Sequence, residues 1–168
     1  RRTSFLFDDL KPESQYEFNL RAVNKSGASD WTAFRAQTKA NPLEFAIQGI
    51  TATTTCKNQG GNGINKLFDF DEGNMWHTAW NDTSALPFDI IIDLKTINKL
   101  DKMHYLPRDV GMNGVLYRGS IYYSSDKANW TKAGAFAWER DLNMKVVSFD
   151  DKPTARYIKI HVEKGVGG

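Results

Sequence analysis

The sequence predicts an all-β chain of short strands arranged as a sandwich or a barrel. Three observations lead to this fold class. Apolar and polar residues alternate with period two in several segments, helical periodicity is nearly absent, and clusters of Gly, Asn, Asp, Ser and Pro separate the alternating segments. The length of 168 residues accommodates one domain or slightly more.

The predicted strands follow from the side chains that share one face. In a strand successive side chains point to opposite sides, so an alternating segment has one apolar and one polar face. Short runs rich in β-branched and aromatic residues also favour strands. The segments that fit are 16–22, 90–94, 120–123, 146–149 and 157–162.

A domain boundary is predicted at residues 38–43, where the alternation stops and Pro42 occurs. Residues 1–40 contain only two or three predicted strands, too few to bury a core unaided. We expect them to be the last part of a domain plus a linker. Residues 41–168 are long enough to form a complete domain.

Composition excludes several classes of protein. The net charge is +2, from 22 basic and 20 acidic residues mixed along the chain, which gives no reason to expect a nucleic acid or an anionic membrane as partner. No apolar run is long enough for a transmembrane helix. The single cysteine, Cys56, excludes an internal disulfide framework and a Cys-based zinc cluster.

Residues 10–31 resemble the last strands of a fibronectin type III domain. The segment 10–16, Leu-Lys-Pro-Glu-Ser-Gln-Tyr, matches the family's tyrosine corner. The resemblance implies that the Tyr16 ring packs inward and that its hydroxyl bonds to the backbone at the corner. Such a module is usually a spacer, so we assign it no chemistry.

The segment 66–80 carries oxygen-bearing side chains at close spacing. Asp69, Asp71 and Asn74 suit a hard cation such as Ca²⁺, which takes 6–8 oxygen ligands. The segment is not an EF-hand, since Gly73 and Trp80 stand where that loop needs ligands. An Asx-rich turn that satisfies its own backbone is the alternative that spacing leaves open.

From about residue 45 to the C-terminus the chain resembles the factor V/VIII type C, or discoidin, domain, and within it the family 32 carbohydrate-binding modules. The resemblance implies a β-sandwich jelly roll with ligand loops at one end. Several motifs occur in the family's order: residues 69–78, 86–94, 105–108, 113–114, 123–131 and 155–158.

The resemblance also implies a structural Ca²⁺ site. Its ligands would be the carbonyl of Lys66 and the side chains of Asp69, Asp71 and Asn74, with asparagine in place of the commoner threonine. The family adds an acidic residue from its final strand. We expect residues 41–168 to lack that strand, because the sequence ends before a matching segment.

A sugar site is implied by residues that match galactose-binding relatives. His77 and Trp80 match the pair that contacts the sugar, Arg108 matches the arginine, and Asn113 stands where a polar side chain completes the site. These groups suit a pyranose, since an indole covers its apolar face and the polar groups bond its hydroxyls. Two alternatives stay open: packing for Trp80, and a surface ion pair of Arg108 with Asp109 or Asp101.

The predicted function is non-catalytic binding of glycans with terminal galactose, N-acetylgalactosamine or N-acetylglucosamine. The resemblance implies a monomeric appendage of a secreted glycoside hydrolase, located extracellularly, at the cell surface or in the periplasm. No catalytic motif such as HExxH, GxSxG or a P-loop occurs.

The alternative function is an adhesion module that binds a protein or phospholipid surface. Membrane-binding relatives carry apolar loop spikes, whereas the loop 57–63 is polar; the segment 136–138, Phe-Ala-Trp, is the remaining candidate spike.

Overall fold

The computed structural model describes residues 7, 10–39, 41, 44–82 and 85–167. Its contacts divide the chain into two compact units, residues 1–46 and 47–168. The division falls after residue 46, close to the stretch 38–43 where the sequence predicts a boundary.

The first unit contains two small antiparallel sheets. Strand β1 (Gln15–Leu20) pairs with β4 (Thr32–Gln37), and β2 (Val23–Asn24) pairs with β3 (Gly27–Ala28). The Tyr16 hydroxyl accepts a 2.9 Å hydrogen bond from the backbone N–H of Lys11, as expected for a tyrosine corner. The assignment of this unit to the fibronectin type III family stays a prediction.

The second unit is built on a five-stranded antiparallel sheet. The order across the sheet is β5, β6, β11, β8 and β9, and the remaining strands β7 and β10 form a separate antiparallel pair. A short 3-10 helix, Ile64–Leu67, follows β5. The strands are β5 (Thr51–Thr54), β6 (Phe88–Lys99), β7 (Lys102–Tyr105), β8 (Leu116–Ser124), β9 (Thr131–Ala137), β10 (Lys145–Ser148) and β11 (Thr154–Gly165).

Period-two alternation places the core on one face of this sheet. Ile90 and Ile92 of β6, Ile121 of β8, and Ile158 and Val162 of β11 are buried in one cluster. Residues of the β7–β10 pair pack against the same cluster, which makes the unit a two-layer sandwich. The predicted all-β fold is therefore confirmed.

The opposite face of the five-stranded sheet is polar and carries cross-strand ion pairs. Arg156 of β11 donates to Asp93 of β6 through Nε at 2.9 Å and Nη2 at 3.1 Å. Lys159 places its ammonium 4.8 Å from the ring centres of both Tyr122 and Trp130. This face stabilises strand pairing through charge and cation–π contacts.

Because of the Asp93–Arg156 pair, we expect the free energy of unfolding to fall at acid pH. The hydrogen bond from Arg156, followed by one from the Lys95 backbone, lowers the pKa of Asp93 to about 2. A depressed pKa in the folded state means that the stabilisation is present above about pH 4, the unfolded value, and is lost as pH falls towards 2. Replacing Asp93 by asparagine should therefore cost about 1 kcal/mol at pH 7, because both side chains are partly exposed, and almost nothing at pH 2. Chemical unfolding across this pH range measures the difference, with Asp150→Asn as an exposed control.

Candidate functional site

The candidate site lies at the loop end of the second unit. An open cleft there is lined by residues 76–80, by the turn at 113–114 and by residues 165–167, at the end of β11 and just after it. The last two segments are far apart in sequence and meet because β8 and β11 are neighbours in the sheet. The cleft contains three of the four residues predicted for the sugar site, His77, Trp80 and Asn113.

His77 exposes only 9% of its surface. Its Nδ1 lies 2.7 Å from the carbonyl oxygen of Thr78. A carbonyl only accepts, so we assign the ring proton of neutral His77 to Nδ1, which leaves Nε2 as an acceptor. Within the described part of the chain Nε2 is buried and has no hydrogen-bond partner.

Trp80 exposes 69% of its surface and is therefore not a core residue. Its ring meets the His77 ring edge-on, with the ring centres 6.2 Å apart. By contrast, Trp76 lies against the core, where its ring contacts Phe88 edge-on. The alternative of core packing for Trp80 is thus excluded, and its indole presents an apolar surface beside the cleft.

Arg108, in the loop between β7 and β8, does not line the cleft but bonds the turn that carries Asn113. Its Nη1 donates to the backbone carbonyl of Asn113 at 3.1 Å. Its Nε is buried and has no partner in the ranges that the structure describes. Asp101, one of the two alternative ion-pair partners, pairs instead with Lys152 at 2.8 Å.

Two glycines allow the walls of the cleft to approach each other. Gly114 has φ +84°, and a β-carbon there would lie 2.6 Å from His77 Nε2. Gly167 also has φ +84°, and a β-carbon there would lie 1.8 Å from Asn113 Oδ1. Both positions need glycine for conformation and for space. The Gly114 backbone covers His77 Nε2, so a ligand reaches this atom only if the turn at 113–114 shifts.

The end of β11 was not among the predicted site residues. Val166 accepts a 2.8 Å hydrogen bond from the Gly114 N–H and donates a 2.9 Å bond to the Val115 carbonyl. The segment 165–167 therefore holds the turn that carries Asn113. The signal in the sequence is the pair of glycines around Val166, which alone says nothing about the partner segment.

A second missed element is the loop 57–62, which we call the support loop. The backbone of this loop brackets His77, because Gln59 N donates to the His77 carbonyl at 2.9 Å and His77 N donates to the Asn62 carbonyl at 3.2 Å. The Asn58 side chain accepts a 2.6 Å bond from the Trp76 indole N–H. The polar composition of the loop predicted only that it does not insert into lipid, whereas the structure shows that it hydrogen-bonds residues of the cleft.

The predicted cation loop is closed by its own hydrogen bonds. Asp69 Oδ1 accepts from the Asp71 N–H at 3.1 Å, and Asp71 Oδ1 accepts from the Gly73 N–H at 2.9 Å. Asn74 Oδ1 accepts from the Lys66 ammonium at 2.6 Å. The two bonds that the aspartates accept are Asx turns, as the alternative interpretation predicts. Nowhere in the described ranges do three His, Cys, Asp or Glu side chains converge as a metal centre.

The donor types on this loop nevertheless fit a hard cation. Asp69 and Asp71 offer carboxylate oxygens, Asn74 an amide oxygen and Lys66 a backbone carbonyl, all on one short loop. A cation that used Asn74 Oδ1 would have to displace the Lys66 ammonium from it.

Fold and cleft together define a class, a two-layer β-sandwich that presents a binding cleft on the loops at one end. The chain belongs to the F5/8 type C domain family, whose model matches residues 49–168. The predicted resemblance to this family is confirmed.

Similar solved structures are family 32 carbohydrate-binding modules. The module of Clostridium perfringens NanJ, solved in complex with galactose, is 31% identical with a TM-score of 0.66, over 71% of this chain and 85% of that one. The C. perfringens module CpGH89CBM32-5, solved in complex with GalNAc-β-1,3-galactose, is 29% identical with a TM-score of 0.66, over 71% and 87%.

A curated relative is galactose oxidase of Gibberella zeae, 33% identical over 124 residues. The match covers 71% of this chain and 18% of the oxidase. The chain thus spans less than a fifth of the curated relatives that it matches.

Proposed function

We propose that the second unit is a non-catalytic carbohydrate-binding module for terminal galactose-type or N-acetylhexosamine sugars. The proposal rests on one observation: among the described residues two buried polar atoms lack a hydrogen-bond partner, and an exposed indole lies next to one of them. His77 Nε2 and Arg108 Nε are buried without partners among the described residues, and Trp80 stands exposed beside His77. A buried polar atom without a partner costs about 1–3 kcal/mol, which a ligand hydroxyl can recover.

The site offers both a hydrogen-bond acceptor and hydrogen-bond donors, which favours a sugar hydroxyl that donates one hydrogen bond and accepts another. In the proposed complex the turn at 113–114 shifts away from His77, and such a hydroxyl donates to His77 Nε2 and accepts from Arg108, while the Asn113 amide bonds a neighbouring hydroxyl. The Trp80 indole covers the apolar pyranose face. An axial 4-hydroxyl meets these demands, so galactose and N-acetylgalactosamine rank ahead of N-acetylglucosamine. The solved relatives in complex with galactose and with GalNAc-β-1,3-galactose support this ranking.

Affinity should be modest, because the contact area is small. A few charge-assisted hydrogen bonds give about 1.5–3 kcal/mol each before entropic losses, and one aromatic contact adds about 0.5–1.5 kcal/mol. A Kd between about 1 mM and about 40 μM follows, about −4 to −6 kcal/mol.

The test of the proposal is a titration of the isotope-labelled chain followed by NMR. Methyl β-galactoside is expected to shift the backbone signals of the cleft, and its 4-deoxy analogue to bind at least about tenfold more weakly, since a hydrogen bond to a charged group is lost. Equal affinities for both sugars, or shifts confined to another surface, would contradict the proposed site.

The biological setting is also part of the proposal. We infer a monomeric appendage of a secreted glycoside hydrolase, acting outside the cell, at its surface or in the periplasm. Support comes from a solved relative, CBM32-3 from a family 31 glycoside hydrolase of Clostridium perfringens, which is 25% identical to this chain with a TM-score of 0.64. In the described residues no helix is long and apolar enough to span a membrane.

The segment 136–138, the candidate membrane-inserting spike of the alternative function, packs within the second unit. Phe136 exposes 5% of its surface and belongs to the core cluster. Trp138 stacks on Phe136 and on Tyr105, with ring centres 4.0 Å and 5.5 Å away. Rings stacked within the unit are not available for membrane insertion, so the segment 136–138 does not support a lipid partner.

A structural Ca²⁺ on the loop 66–74 is the remaining part of the proposal. The carbonyl of Lys66 with the side chains of Asp69, Asp71 and Asn74 would hold it. Bound there, the cation would cross-link the loop that leads into residues 76–80.

If Ca²⁺ binds only the folded chain, it stabilises by mass action, by about 2.7 kcal/mol at a hundredfold excess over Kd. The melting temperature should therefore rise with Ca²⁺ and fall with a chelator, and Asp69→Ala should abolish the difference. Differential scanning calorimetry measures both, with Asp150→Ala as a control that keeps the response. If neither Ca²⁺ nor chelator changed the melting temperature of the unmodified chain, the proposed Ca²⁺ site would be contradicted.

A further inference from the structure

The exposed indole of Trp80 has little packing to hold it in place. Its ring approaches the His77 ring edge-on, and 69% of its surface is exposed. The backbone N–H of Trp80 donates to the side chain of Gln59, with 3.0 Å between Trp80 N and Gln59 Oε1. A side chain 21 residues earlier in the sequence therefore anchors this residue.

Gln59 also bonds the backbone of His77, the residue that carries the other ring of the cleft, through its own main chain. Its N–H donates to the His77 carbonyl at 2.9 Å, and its own carbonyl accepts from Asn62 N at 2.9 Å. The Asn62 carbonyl in turn accepts from His77 N at 3.2 Å. One residue of the support loop thus bonds the backbones of both His77 and Trp80.

We propose that Gln59 is a positioning residue that fixes Trp80 relative to His77 in the sugar site. This inference rests on the proposed function and adds to it a residue outside the cleft lining. Without the Gln59 amide oxygen the Trp80 N–H loses its protein acceptor, and the indole samples orientations that do not cover a sugar on His77. Fixing the indole again when the sugar binds costs entropy and lowers affinity. A preorganised site avoids this loss.

Two variants of similar length separate the acceptor from the packing. Gln59→Met removes the amide oxygen, and Gln59→Glu keeps an acceptor at the same position. We expect Gln59→Met to weaken methyl β-galactoside binding about fivefold, the worth of one net hydrogen bond, and Gln59→Glu to stay within about twofold. Gln37→Met, an exposed glutamine of the first unit, is the matched control and should change nothing.

A double-mutant cycle tests whether Gln59 acts through the Trp80 ring. In a Trp80→Ala background Gln59→Met should cause no further loss of affinity, because the positioned ring is gone. An equal loss in both backgrounds would overturn the proposal, since Gln59 would then act elsewhere in the site.

Hydrogen exchange gives a readout that does not depend on any sugar. The Trp80 amide should exchange faster in Gln59→Met than in the unmodified chain and in Gln59→Glu. Unchanged exchange would overturn the positioning role even if affinity fell. A chain that binds no sugar would overturn the proposed function instead, and the exchange rates would still show whether Gln59 anchors Trp80.

Discussion

Replacing Trp80 or Arg108 by alanine is expected to weaken galactoside binding at least about tenfold each while leaving the melting temperature nearly unchanged. The Trp80 ring is exposed, so its removal leaves no cavity, and the sugar loses the apolar surface that covers its face. Arg108→Ala removes the donor that the ligand hydroxyl would use, which costs about 1.5–3 kcal/mol for a charge-assisted bond. NMR titration with methyl β-galactoside measures both changes.

Matched controls exist on the same unit. Arg118→Ala removes an exposed arginine that pairs with Glu163 at 3.2 Å, and Ile97→Ala removes an exposed apolar side chain. Neither side chain lines the cleft and, unlike that of Arg108, neither bonds a residue that does, so affinity should stay within the error of the measurement. Unaltered affinity in both Trp80→Ala and Arg108→Ala would place the sugar on another surface.

Replacing Ile121 by alanine is expected to destabilise the second unit by about 2–5 kcal/mol. Ile121 lies on β8 within the sheet, exposes 1% of its surface and belongs to the core cluster. Its truncation removes buried apolar area and leaves a cavity that the close-packed neighbours cannot fill. Urea unfolding followed by circular dichroism measures the change, read as a shift of the midpoint at constant slope.

The control for this substitution is chemically identical and differs only in burial. Ile97→Ala removes the same atoms from a side chain that exposes 60% of its surface, and it should change stability by less than about 0.5 kcal/mol. Similar losses for the two substitutions would mean that the sheet face carrying Ile121 is not the core of the unit.

The sequence predicted the strands whose two faces differ in polarity. Residues 90–94, 120–123 and 157–162 lie within β6, β8 and β11, where one face is buried and the other carries charged and aromatic side chains. Strand β9 escaped prediction because Gly134 and its alanines give no contrast between faces. The 3-10 helix Ile64–Leu67 also escaped, since one turn is too short to show a period.

The candidate site was predicted as four residues, without the structure that holds them. Resemblance to relatives pointed to His77, Trp80, Arg108 and Asn113, because their types and spacing are local features. The support loop and the segment 165–167 hold them by backbone hydrogen bonds that depend on topology and hardly at all on side-chain identity. Such bonds leave no periodic pattern, and only glycines at tight approaches mark them.

The position of β11 determines when the sheet can form. This strand, Thr154–Gly165, lies between β6 and β8 and pairs with both, although both precede it along the chain. During synthesis β6 and β8 leave the ribosome with unpaired edges, which are templates for wrong pairing until β11 emerges. The sheet is therefore completed late and through long-range contacts, and we expect folding to be slow.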